Sequence, residues 1–217
     1  MRLNIAIDGP AGAGKSTIAK LVAKKFGLMY INTGAMYRAV TLMAMRKNIK
    51  ASDVKNLCDL MESLSMHFEN DKLIVNEEDV SEEILLPKTS QNVSNYASIL
   101  EVREKLVHLQ KEMAGRYDVV MDGRDIGTFV LNNAPFKFYL TATPEERAKR
   151  RYNELMEKHV KVCYDDILND IIKRDHIDST RKINPLTKAK DAVEIDSSSM
   201  GIKEVVDYIV KYIEKSL

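Results

Sequence analysis

Residues 5–17 read IAIDGPAGAGKST. A short apolar run breaks into glycines and closes on Gly-Lys-Ser-Thr. Gly9, Pro10, Ala11, Gly12, Ala13, Gly14, Lys15 and Ser16 fill the pattern G-x-x-x-x-G-K-[ST], with Thr17 following, between an expected strand and an expected helix. Glycines let backbone N–H groups curl around phosphate oxygens without a Cβ in the way. The helix that follows turns the positive end of its dipole toward the anion. Lys15 then reaches the outer phosphates and Ser16 offers its hydroxyl to Mg²⁺. A phosphate loop is the first expectation.

Working outward, Leu3, Ile5 and Ile7 with Ala6 suit a strand buried on both faces. Ile18, Leu21, Val22 and Phe26 recur at helical spacing and stop at Gly27, a C-cap residue. LMYIN (28–32) reads as a strand and 34–48 as a helix whose methionines pack inward. Between about 50 and 90 the character changes. Val54, Leu57, Leu60 and Leu64 mark a short amphipathic helix, and MHFENDKLIV reads as a hairpin turning at Asn70-Asp71. NEEDVSEEI then reads as acidic and solvated, and NYASILEVREKLVHLQKEMA as one long helix. Three strands follow at 117–122, 136–140 and 192–196. Between the last two, Thr143-Pro144-Glu145-Glu146 starts a helix and 164–175 forms another. Ile202, Val205, Val206, Ile209, Val210 and Ile213 place a final helix on the sheet. Strands alternating with helices predict an α/β fold with a parallel sheet.

Composition narrows the partners. The 217 residues are 45% hydrophobic and 30% charged with a formal charge of +1, which argues against nucleic acid or a membrane as the main partner. Apolar runs fall short of the roughly 18 residues that a membrane span needs, and no targeting segment is expected ahead of the first strand. Cys58 and Cys163 lie far apart, so a reducing cytoplasm is expected; near-neutral charge and the lack of a long apolar stripe make a monomer the expectation. His67, His108, His159 and His176 are scattered outside any metal motif.

The loop alone leaves GTPase, motor ATPase, kinase and regulatory switch open. The absence of an Asn-Lys-x-Asp tetrapeptide weakens a guanine reader. Arg147, Arg150 and Arg151 share about one turn of helix, with Arg174 and Arg181 beyond. Transfer between two phosphorylated molecules needs such cations; the plainer alternative is a solvated basic face paired with Glu145, Glu146 and Glu154. Gly123-Arg124-Asp125 follows an apolar strand, so these side chains emerge at a strand's C-terminal edge, where open α/β sheets bind ligands. These residues by themselves imply a phosphotransferase with a phosphorylated acceptor. Open rivals are UMP, AMP or a phosphate-free metabolite such as shikimate as acceptor, and a nucleotide-binding switch or scaffold.

Taken together, IAIDGPAGAGKST, NTGAMYRA (32–39), SNYASILEVR (94–103), DGRDIGT (122–128), ERAKRR (146–151), RDHIDSTR (174–181) with Pro185-Leu186, and IDSS (195–198) resemble the bacterial cytidylate kinases over nearly the whole chain. The resemblance implies a P-loop nucleoside monophosphate kinase fold: a core of 1–49, 92–146 and 182–217, a monophosphate-binding insert at about 50–91, and a lid at about 147–181. It implies γ-phosphoryl transfer from Mg·ATP to CMP or dCMP. Ser94, Arg103 and Asp125 match the cytosine readers, Arg38, Arg124 and Arg181 the acceptor-phosphate residues, and Asp178 the residue on the sugar hydroxyls. Thr33 and Tyr37 sit near that pocket in the family pattern, and Arg174 is a phosphate or sugar contact. Arg147, Arg150 and Arg151 become lid residues closing on ATP; Lys15, Arg124 and Arg181 form the catalytic set. The chemistry agrees: a carboxylate and a hydroxyl accept from the N4 amino group while a guanidinium donates to N3 and O2. Uracil would mispair at both, and sites of this kind discriminate by up to about 10⁴-fold. Two positions depart from the family. Asn32 stands where many relatives carry Asp, and Ser16 replaces a Gly found in part of the family.

Overall fold

The computed structural model describes residues 2–69 and 71–217, and the chain parts into two units: residues up to Tyr30 with Tyr117–Leu217, and Ile31–Arg116. β1 (Asn4–Asp8) leads through the loop into α1 (Lys15–Phe26), which ends at Gly27 in the left-handed conformation. β2 (Met29–Asn32) carries the chain from the first unit into the second.

In the second unit α2 (Thr33–Arg46) is capped by Asn32, whose side-chain oxygen accepts from the Ala35 N–H at 2.8 Å. An amide performs this capping as well as a carboxylate does, so the departure at position 32 leaves the cap intact. α3 (Val54–Ser63) follows, then β3 (Met66–Glu69) and β4 (Lys72–Val75) as an antiparallel pair. Asn70 of the expected turn lies outside the described residues; Asp71 has φ 64°. The acidic stretch after it is not simply solvated. Next, β5 (Glu78–Asp79) pairs with β4, and Val80 and Ile84 are buried. Arg46 of α2 pairs with Glu78 and Glu83, and Lys72 with Asp79. The expected long helix is two: α4 (Pro87–Ala97) and α5 (Leu100–Arg116). At the break, Ser98 Oγ donates to the Asn95 carbonyl at 2.8 Å, a local bond that competes with helix continuation. Ala44, Leu57, Leu60 and Tyr96 form an apolar cluster in this unit.

The chain re-enters the first unit at β6 (Val119–Gly123) and continues through β7 (Phe136–Thr141), α6 (Pro144–Glu157), α7 (Tyr164–Thr180), β8 (Val193–Asp196) and α8 (Ile202–Glu214). The sheet order is β2-β6-β1-β7-β8, with β1 parallel to both β6 and β7. Ile5, Ile7, Phe138 and Leu140 pack with Ile18 and Val22 of α1 and Val205, Ile209 and Ile213 of α8. Leu21, part of the helical spacing of α1, is 40% exposed. The register aligns Asp8 with Gly123 on one side and Tyr139 on the other. The loops after β1 and β6 therefore leave adjacent strand ends, the ligand edge of such a sheet. Among the described residues, no helix is long and apolar enough to cross a membrane.

Candidate functional site

The loop from Gly9 to Gly14 is shaped by its glycines. Gly9 has φ 148°, and a Cβ there would stand 1.9 Å from the Leu140 carbonyl oxygen. Gly14, at the start of α1, has φ 84°, left-handed backbone that favours glycine. Lys15 is only 6% exposed, and its Nζ donates to the Pro10 carbonyl at 2.7 Å. Burial, with the Arg124 guanidinium second, pushes its ammonium well below the usual lysine range, against Asp122, Asp8 and Asp178. A phosphate beside it would raise the ammonium's pKa again.

Ser16 Oγ donates to Asp122 Oδ2 at 2.9 Å, and Tyr30 Oη donates to Asp122 Oδ1 at 2.8 Å. A hydroxyl and an oriented carboxylate therefore meet at the head of α1. Such hard oxygen donors suit Mg²⁺, which takes one or two protein ligands and completes its shell with phosphate oxygens and water. The described residues contain no group of three His, Cys, Asp or Glu placed to hold a metal ion, so a cation here would lean on its nucleotide. The residues fit the group.

Beyond β6, Arg124 Nε donates to Asp178 Oδ2 at 2.8 Å, and Arg181 lies 3.4 Å from Asp125 Oδ1. Burial pushes the Asp178 carboxyl up, but Arg124 together with Arg174 and Arg181 outweighs it and holds the group below its ordinary range. α7 runs five residues past the expected 175, which places Arg174 and Asp178 on one helical face with Arg181 as the C-cap. Leu186 N–H donates to the Asp178 carbonyl at 2.8 Å, folding the Pro-Leu pair back over this helix end.

Sequence reasoning missed Asp8, Tyr30 and Asp175. Asp8 is 3% exposed; its carboxylate accepts from Ile126 N–H at 2.8 Å and Gly127 N–H at 2.7 Å. Burial pushes its pKa up to about 6 despite those two donors. The available signal was an acid closing an otherwise apolar strand.

The α6 arginines behave differently from one another. Arg147 is not on a solvated face. It is 3% exposed, donating to Ala142 O and Ala11 O, both at 2.9 Å, and pairing with Asp175 at 2.6 Å. It joins the phosphate loop, the end of β7 and α7. Arg150 donates to Ser197 Oγ at 3.1 Å, and Arg151 pairs with Glu154 at 2.7 Å, as the plainer alternative expected. Arg147→Ala is expected to lower unfolding stability by about 2–4 kcal/mol, since it strands the Asp175 carboxylate and two carbonyls. Arg147→Lys should recover part of the loss; urea unfolding measures both.

In the second unit, Thr33, Tyr37, Ser94 and Arg103 are buried and Arg38 is half-buried. The Arg103 guanidinium lies 5.4 Å from the Tyr37 ring centroid and donates to the Ala97 carbonyl at 3.1 Å. Stacking and this bond fix the orientation of its remaining donors. Ser94 sits on α4 one turn before Ala97.

A family model described as cytidylate kinase matches residues 5–215. A cytidylate kinase from Clostridium acetobutylicum is 86% identical over 217 residues, covering all of both chains. One from Clostridium tetani is 65% identical over 217 residues, covering all of this chain and 96% of its own length. Among solved structures, a shikimate kinase from Bacteroides thetaiotaomicron aligns over 99% of both chains with a TM-score of 0.52 at 15% identity, a likeness of fold alone.

Proposed function

The chain belongs to the cytidylate kinase family, and from that premise we propose how its residues move the γ-phosphoryl group of ATP to CMP or dCMP. The overall reaction yields ADP and CDP or dCDP. The observation that carries the residue assignment is a juxtaposition at one sheet edge. Buried Lys15 and the Ser16–Asp122 pair stand at the end of β1, and the Arg124–Asp178 pair follows the neighbouring β6.

Backbone N–H groups of Gly9–Gly14 and the head of α1, with Thr17, take the ATP phosphates. Lys15 neutralises the outer ones. Ser16 and Asp122 would hold Mg²⁺, which would supply charge neutralisation at the terminal phosphates. Arg124 and Arg181 take the acceptor phosphate; Asp178, assisted by Arg174, takes the sugar hydroxyls. Asp125 accepts from the cytosine amino group. Within the second unit, taken by itself, Arg38 is assigned to phosphate, Ser94 and Arg103 to a base, and Thr33 and Tyr37 to the surroundings of those two. Arg150 and Arg151 act as lid residues toward ATP, while Arg147 serves ATP through the loop carbonyl it holds.

The acceptor oxygen is already anionic, so direct in-line attack requires no strong general base. The protein supplies positioning, charge and exclusion of water. The formal charge of +1 and two unbonded cysteines support a monomer at work in the cytoplasm. The direct test measures ADP release with Mg·ATP and CMP, dCMP, UMP, AMP or shikimate in turn. CMP and dCMP should be used at least about 10²-fold better than the others. Release that ignores the acceptor would instead mark a nucleotide switch.

A further inference from the structure

The turn Ile126–Val130 begins directly after Arg124-Asp125, with Asp125 at the position whose side chain ordinarily caps such a turn. Asp125 makes no capping bond; its carboxylate is directed to Arg181. The two leading N–H groups of the turn go instead to the two oxygens of Asp8, on the neighbouring strand. At its other end the turn closes on the Asp125 carbonyl, which accepts from Phe129 and Val130. The approach is close. A Cβ on Gly127 would stand 3.3 Å from Asp8 Oδ2 and 3.2 Å from the Lys137 side chain, itself fixed on Asn132 O and Asp191.

We infer that Asp8 is a positioning residue for substrate recognition: by capping the turn from outside, it fixes the backbone of Arg124-Asp125 and leaves the Asp125 side chain for the acceptor base. The inference deepens the proposed function and rests on its assignment of Arg124 and Asp125 to the acceptor. Because Asp8 directly precedes the phosphate loop, the same carboxylate also ties the acceptor loop to the donor loop. Charge-assisted bonds to two consecutive N–H groups resist rotation in a way that one bond does not.

The test titrates parent, Asp8→Asn and Asp8→Ala with CMP and, separately, with Mg·ADP by calorimetry. Asp8→Asn should weaken CMP binding about 10–30-fold while ADP affinity stays within about threefold. Asp8→Ala should weaken CMP further, since Asn retains one acceptor oxygen. The preference for CMP over UMP in kcat/KM should fall with it. A merely structural role would lower the melting temperature and leave the ratio of CMP to ADP affinity unmoved. That outcome, or CMP binding within threefold of the parent, overturns the inference. Should the Asp8 variants not fold, Gly127→Ala presses on the same clamp and should show the same split, about 3–10-fold. Asp125→Asn is titrated alongside. Unchanged CMP binding in that variant defeats the assignment of Asp125, whereas the Asp8 inference is decided by its own CMP-to-ADP split.

Discussion

Lys15→Ala is expected to lose roughly 10³–10⁴-fold in kcat while its melting temperature stays within a few degrees of the parent's. The two halves have one origin. The ammonium is buried beside Arg124, and both burial and that neighbour push it well below its usual range. In the free protein a charge held there is a cost, so truncation removes an unfavourable term together with some packing of the stem. During transfer, negative charge accumulates on the phosphates and the same ammonium becomes the nearest compensating group. Little folding energy is lost and much transition-state energy is. Coupled ADP release and thermal unfolding of one preparation measure both halves. A kcat within tenfold of the parent would remove Lys15 from the reaction.

Asp125→Asn should reduce kcat/KM for CMP by about 10³-fold, leave KM for ATP within about threefold, and raise the relative use of UMP. Asn is the informative substitution because Asp125 is 4% exposed and faces Arg181 at 3.4 Å. An alanine would leave that guanidinium facing a void and confuse loss of recognition with loss of packing. The amide retains volume and an acceptor oxygen, yet its NH₂ group can donate to uracil O4, which a carboxylate cannot do. The discriminating measurement is the ratio of kcat/KM for CMP to that for UMP. An equal loss on CMP and ATP would make Asp125 a structural residue.

The sequence was most legible where one local rule governs. The Gly27 stop, the Thr143-Pro144 start and the apolar strands all appear where spacing puts them, because each is set by neighbours in the chain. It was least legible where distant residues share the work. The split at Ser98 follows from a hydroxyl turned back on Asn95, with no proline or glycine to announce it. Arg147 sits on a charged helix like Arg151, yet its partners lie on Ala11 and Asp175. No periodicity separates the two. The phosphate loop was readable because a fixed motif encodes it. The base readers were named through family resemblance, since hydrogen-bonding chemistry alone stops at a phosphorylated acceptor.

Gly9 and Lys15 belong to one fingerprint but answer to different masters. What forbids a side chain at Gly9 is the carbonyl of Leu140, an atom of the neighbouring strand, 1.9 Å from where the first carbon would stand. That veto comes from the architecture, and a descendant that had abandoned all chemistry would still obey it. The lysine and serine six and seven places later carry no such veto, so their retention is the better sign of a working kinase.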